Sequence, residues 1–340
     1  MQLLDPDLPA GAAERLLVVH DEQLVHDEAF GDPEATFALL CISKPIFALA
    51  ALWMLQDLDD LGLDDEIRPY VPELDERFAG VTIRHLLTHS TGITRDATPG
   101  RWTEERFLRW IARSPVEDRS PRYSVMTSWF LLSRVLEAAT GLHRGEILQR
   151  YALEPFGATL GHGAFSEHDR PRWVLDRHTG EPAAELWWAD DPEIAERAWM
   201  GSALRGRASE VLRIVSALAS RPRRATLEPA MQDAIALLEQ PVGEGLSTDG
   251  EGLHAFGFSH GALTGHRWLG LRPGREGFGS DSGTGSFIFA DPERSLAVVY
   301  LSTIMREPIA SLARRRRLLD RVYDEVERDS AWGKISGRTA

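Results

Sequence analysis

From Ile46 to Leu55 the chain is apolar on every helical face, and a helix without a polar stripe belongs inside a large fold rather than on its surface. Just ahead of it runs Cys41-Ile42-Ser43-Lys44-Pro45, which carries the chain's single cysteine. Proline is accommodated only in the first turn of a helix, so this helix must begin near Cys41 to Ser43, leaving backbone N–H groups beside the thiol. Two demands follow. The rest of the chain must wrap a core around this helix, and a nucleophilic sulfur stands at its positive end.

The composition meets the first demand. The 340 residues, 43% of them hydrophobic, suffice for one large domain or two intimate ones. A net charge of −14 argues against nucleic acid or an anionic membrane as a partner, because phosphate binding needs clustered Lys and Arg. A lone cysteine excludes an internal disulfide framework and a multi-cysteine zinc site. The apolar run is shorter than the roughly 18 residues that span a bilayer, and no signal peptide pattern precedes residue 10. The expected location is the cytoplasm.

Arg15 to His20 and Leu24 to Asp27, separated by a polar turn, read as a β-hairpin. The prolines of Ile67 to Leu74 rule out a regular helix there. Thr82 to His89 reads as a short helix N-capped by Thr82 and stopped by Ser90-Thr91-Gly92. His85 and His89 lie four apart on it, a spacing that can hold a metal. No Glu follows His85 and no third ligand is evident, so no metal is expected and the imidazoles are assigned to loop carbonyls.

Trp102 to Arg113, Thr127 to Thr140 and His143 to Tyr151 read as further helices. Gly161 to Trp199 shows no periodicity and is expected to line a cleft. After two amphipathic helices, Ser209 to Ala219 and Leu227 to Leu238, the pattern becomes that of an antiparallel meander: His254 to Ser259, His266 to Gly270, Gly285 to Ala290 and Ser295 to Leu301. Ile309 to Arg328 closes the chain as a helix. Its Arg314 to Arg317 run covers every face and predicts a solvated surface rather than a nucleic-acid site. The expected class is α+β, with the terminal strands joined in one antiparallel sheet and a helical part inserted.

Three stretches, Phe37 to Ala51, His85-Leu86-Leu87-Thr88-His89-Ser90-Thr91-Gly92-Ile93, and Gly285 to Leu301 with its Asp291-Pro292-Glu293 turn, together resemble the serine β-lactamase and penicillin-binding protein superfamily, in its class C β-lactamase, family VIII esterase and transacylase branch. The likeness runs from about Leu16 to Leu319. It implies a single β-lactamase/transpeptidase-like domain, with residues 15–60 and 205–325 forming an α/β lobe and 61–204 a mainly helical lobe. It also implies an active site between the lobes and acyl-enzyme chemistry without metal or cofactor.

The family's first motif is S-x-x-K, and here it is Cys41-Ile42-Ser43-Lys44. Residues three apart share a helix face, so Cys41 can meet Lys44 as the family serine meets its lysine, whereas Ser43 has no lysine three residues on. The helix end and the ammonium both favour thiolate. The second motif, Y-x-N, falls on Ser124-Val125-Met126 when counted back from Thr140-Gly141, with Tyr123 one residue off. Either Ser124 or Tyr123 fills the family tyrosine's place, and the asparagine position is apolar in both registers, Met126 or Val125. The third motif falls on Ser280-Asp281-Ser282, where no cation remains for a substrate carboxylate and Asp281 adds negative charge. By analogy the backbone N–H groups of Cys41 and Gly283 form the oxyanion hole.

These residues imply an acyltransferase, or an amide, ester or thioester hydrolase, working through a thioester at Cys41. Its partners would be a small-molecule acyl donor and, for transfer, an amine or thiol acceptor. The alternative is a catalytically inactive relative that binds a small molecule or a protein in the former cleft.

Overall fold

The computed structural model describes residues 3–4, 8, 11–162, 173–175, 182–185, 193, 197, 199–240, 243–247, 250–254, 259–260, 277–306 and 308–336. The expected strand at His266 to Gly270, most of the expected cleft-lining stretch between Gly161 and Trp199, and residues 255–258 of the expected strand His254 to Ser259 lie outside them.

In chain order the strands are β1 (Glu14–His20), β2 (Gln23–Phe30), β3 (Phe37–Ala38), β4 (Gly161–His162), β5 (Trp173–Leu175), β6 (Pro182–Glu185), β7 (Leu204–Gly206), β8 (Gly243–Ser247), β9 (Gly250–His254), β10 (Ser259–His260), β11 (Phe278–Asp281), β12 (Phe287–Asp291), β13 (Leu296–Ser302) and β14 (Ile304–Met305). The helices are α1 (Ser43–Asp57), α2 (Ile83–Leu87), α3 (Glu104–Ile111), α4 (Thr127–Thr140), α5 (Arg144–Leu148), α6 (Ala208–Ala219), α7 (Pro229–Glu239) and α8 (Pro308–Ser336). An eight-stranded sheet runs β2-β1-β13-β12-β11-β10-β9-β8, every neighbour antiparallel. The first strand of the chain thus lies beside the last long one, as the α+β pattern requires.

The two-residue period of a strand explains how this sheet is covered on both sides. In β13, Leu296, Val298 and Tyr300 face one core, which they share with Leu318, Leu319, Val322 and Tyr323 of α8. The alternating Ala297, Val299 and Leu301 face the main core, which holds α1, α6 and α7. Burial of both faces makes Leu296–Ser302 read as a continuous apolar run.

Helix α1 is the centre of that main core, with Ser43 through Leu55 all buried. Leu40–Asp57 is in fact long and apolar enough to cross a bilayer, but 83% of it is buried inside the fold. Its environment is protein. Helix α4 ends where expected, with Gly141 in the left-handed conformation at φ 72° and its N–H on the Glu137 carbonyl.

The arginine run of α8 departs from its expected place at the surface. Arg315 is buried and Arg314 is 13% exposed, while Arg317 faces outward. Arg314 and Arg306 both bind Glu14 at 2.6 and 2.8 Å, and the wholly buried Glu14 also accepts from the Tyr300 and Ser302 hydroxyls. A carboxylate deep in a sheet demands such partners: α8 supplies Arg314, the segment before it Arg306, and β13 the two hydroxyls.

Candidate active site

The chain enters α1 through β3 and a single 3₁₀ turn, Leu40–Ile42. Leu40 adopts a left-handed φ of 48°, a costly conformation for a branched side chain that recurs at functional turns. Cys41 follows it and is partly exposed, whereas Ser43 and Lys44 are buried. Ser43 points away from Cys41, its hydroxyl accepting from the Leu204 N–H of β7 at 3.1 Å. Lys44 Nζ donates to the Gly201 carbonyl at 2.8 Å and lies 5.3 Å from the centre of the Tyr123 ring.

The Tyr123 phenol lies against Cys41. Burial first, then Cys41, push its phenol well above its ordinary value, so the hydroxyl remains protonated. Ser124 turns elsewhere. Its hydroxyl accepts from the Ser128 N–H at 3.0 Å and its own N–H donates to His89 Nδ1 at 3.0 Å. Tyr123 is therefore the residue set against Cys41 and Lys44. Met126 is buried against Gly201, where any added Cβ would stand 2.9 Å from the Val125 carbonyl and 3.0 Å from Met126 Sδ. Lys44 is thus held by the backbone carbonyl of a residue that has no room for a Cβ.

Asp96 and Gly201, both overlooked in the sequence, and His89 surround Tyr123 and Lys44. Asp96 accepts from the N–H groups of Val125, Met126 and Thr127, the last two at 3.0 and 2.8 Å, filling the orphan donors at the start of α4. Gly201 fixes Lys44. His89, left-handed at φ 57°, lays its ring 4.9 Å from that of Tyr123 and 5.6 Å from Trp129. Both histidines of the Thr82 to His89 segment accept backbone N–H groups at Nδ1, His85 from Thr82 and His89 from Ser124. Among the described residues no group of three or more potential metal ligands is present.

Ser280 and Asp281 close β11, and Ser282 opens the turn into β12. The Ser282 hydroxyl is buried on Thr284 at 2.7 Å, and Ser280 is buried as well. Gly283 is exposed at the tip of a turn closed by the Gly285 N–H on the Ser282 carbonyl. The motif residues themselves carry no cation, but a residue from outside them reaches Asp281. Arg315 of α8 comes up beneath the strand and pairs with Asp281. No sequence spacing could place a residue 34 positions away under this turn; the packing of α8 on the sheet does so. Asp281 also helps raise the Tyr123 phenol, so its charge is felt at the cleft.

Known proteins resemble this chain in sequence and fold. A family model described as Beta-lactamase matches residues 7–321. The esterase EstB of Burkholderia gladioli is 25% identical over 281 residues, covering 68% of this chain and 67% of that protein. Among solved structures, EstCE1, described as a hydrolase with promiscuous acyltransferase activity, superposes with a TM-score of 0.74 at 21% identity, covering 90% of this chain and 93% of the other. A penicillin-binding protein homologue from Caulobacter crescentus gives 0.73 at 19% identity, covering 92% of each chain.

Proposed function

The chain belongs to the β-lactamase family, and from that premise we propose that it is an esterase-like acyl-transfer enzyme whose acyl group is carried as a thioester on Cys41. The observation that supports this is the meeting of a partly exposed Cys41, the Tyr123 phenol that lies against it and Lys44 Nζ 5.3 Å from the same ring. A catalytic nucleophile needs a partner for its proton within hydrogen-bond reach, and here the partner is a phenol.

In acylation Sγ attacks the carbonyl carbon of the donor, the C–S bond forms and the C–O bond to the leaving group breaks. The thiol proton passes to the Tyr123 oxygen as the Tyr123 proton passes to the leaving oxygen, so that the alcohol departs neutral. The developing oxyanion lies between the N–H groups of Cys41 and Gly283. Deacylation runs the relay in reverse, with water or an amine losing its proton to Tyr123 as sulfur regains one. Lys44, tied to Gly201, contributes its charge at the ring face and is a positioning residue in this scheme. The names of EstB and EstCE1 support an ester or a related acyl donor as the substrate class.

Intact mass spectrometry after mixing with a nitrophenyl ester, a thioester or a β-lactam tests the scheme. The expected result is an acyl increment on wild type that is lost in Cys41→Ala. If no acyl donor ever labels the protein, the acyl-enzyme scheme is refuted and a binding role in the cleft takes its place.

A further inference from the structure

Gly283, Thr284 and Gly285 form the hairpin loop between β11 and β12. The Gly285 N–H donates to the Ser282 carbonyl at 2.8 Å, the Ser282 N–H donates to the Ser286 carbonyl at 2.9 Å, and Gly285 takes the left-handed φ of 76° that such a loop needs at its last position. The Gly283 N–H takes no part in these bonds. Side chains at a hairpin tip ordinarily face water. Here Gly283 is exposed, but Thr284 after it is wholly buried, and Ser282 and Ser286 on either side are buried as well.

Thr284 Oγ1 stands 2.7 Å from Ser282 Oγ and 2.9 Å from Ser286 Oγ, so the three hydroxyls form a ladder. It runs in one direction. Ser286 Oγ accepts from the Ser302 N–H of β13 at 2.9 Å and places its single proton on the Ser302 carbonyl at 3.3 Å. Ser286 therefore accepts from Thr284, and Thr284, its proton committed, accepts from Ser282. Out of water's reach, a broken rung leaves polar groups with nothing to replace their partner.

Resting on the acyl-enzyme reading, in which the Gly283 N–H holds the oxyanion, we infer that Thr284 is a positioning residue: its hydroxyl ties the turn to β13 through Ser286 and so fixes the direction of the Gly283 N–H. Donors of an oxyanion hole act by being aimed before the charge develops, and Gly283 has no side chain to anchor itself. Its buried neighbour does so.

Thr284→Val removes the hydroxyl and keeps the branched shape, whereas Thr284→Ser keeps the hydroxyl; both are checked for folding by circular dichroism. Each protein is acylated with nitrophenyl cinnamate, plain and isotope-labelled at the carbonyl carbon, and the infrared difference isolates the carbonyl band of the acyl-enzyme. In Thr284→Val the band is expected to move to higher wavenumber, toward that of a free thioester, and deacylation to slow about ten-fold or more, part of the roughly 10²–10³ that loss of a whole donor costs. Thr284→Ser should retain the wild-type band and rate. An unmoved band in folded Thr284→Val overturns the inference whatever happens to the rate, as does a Thr284→Ser that behaves like Thr284→Val. A second arm does not depend on acylation: hydrogen exchange of the Ser282 and Gly285 amides that close the turn should quicken about ten-fold in Thr284→Val, the size of one net hydrogen bond, and stay slow in Thr284→Ser. Equal exchange in wild type and Thr284→Val overturns the tie to β13. A wild type that the ester does not acylate defeats the reaction scheme alone and leaves the exchange to decide whether Thr284 fixes the turn.

Discussion

Tyr123→Phe isolates the one contact on which the proposed chemistry depends. The substitution deletes the hydroxyl on Cys41 and keeps the ring that packs 4.9 Å from His89 and 5.3 Å from Lys44 Nζ. Folding should be nearly unaffected. A positioned proton donor is worth about 10²–10⁴ in rate, or about 3–5 kcal/mol of barrier, but only where the leaving group needs the proton. Alkyl esters, whose alkoxides leave poorly, should lose that full factor in kcat/KM, whereas nitrophenyl esters, whose phenolates leave unaided, should lose less than about ten-fold. Because burial and Cys41 hold the Tyr123 phenol well above its ordinary value, the residue stays a neutral donor and adds no alkaline limb of its own near pH 8–9. Steady-state kinetics on matched ethyl and nitrophenyl esters provide the readout. Equal losses on both substrates would mean that Tyr123 only shapes the cleft, and no loss on either would remove it from the reaction.

Further outcomes follow from the same contacts. Glu14→Gln leaves Arg306 and Arg314 facing a neutral amide inside the sheet and should cost about 3–5 kcal/mol in urea unfolding, without an acyl-enzyme defect in the protein that remains folded. Asp96→Ala strips the cap of α4 and should cost about 1–2 kcal/mol; if the cap also places Tyr123, alkyl-ester turnover falls with it, and unchanged turnover would confine Asp96 to stability. Burial raises the Glu137 carboxyl, but the hydrogen bonds and charge of Arg144 outweigh this and hold it below the ordinary 4.5. Its folded-state value being depressed, the pair's contribution is complete above about pH 5 and disappears as pH falls through that lowered value. The stability gap between wild type and Glu137→Gln, measured by denaturant titration at several pH values, should therefore narrow on acidification. A gap that is constant with pH would show that the charge of Glu137 is not what stabilises.

Much of this protein is legible in its sequence because the signals are local. An apolar stretch without a polar face must be buried, so Ile46 to Leu55 had to be a core helix, and Pro45 set where it begins. Thr82 as N-cap and Gly141 beyond the end of α4 are effects within one turn of backbone.

What tertiary structure alone decided concerns residues far apart in the chain. Counting along the sequence could not choose between Tyr123 and Ser124. Asp96 and His89, some 30 positions earlier, hold the start of α4 so that the phenol lies against Cys41 and the serine hydroxyl turns to the helix. Composition made Arg314 to Arg317 look solvated, because a run of like charges is normally a surface. The sheet instead buried Glu14 and left Asp281 at its margin, and the helix laid over it brought Arg314 to one and Arg315 to the other. Periodicity reports which face of an element is apolar, but the partner of a charge is set by which elements pack together, and that lies in the fold.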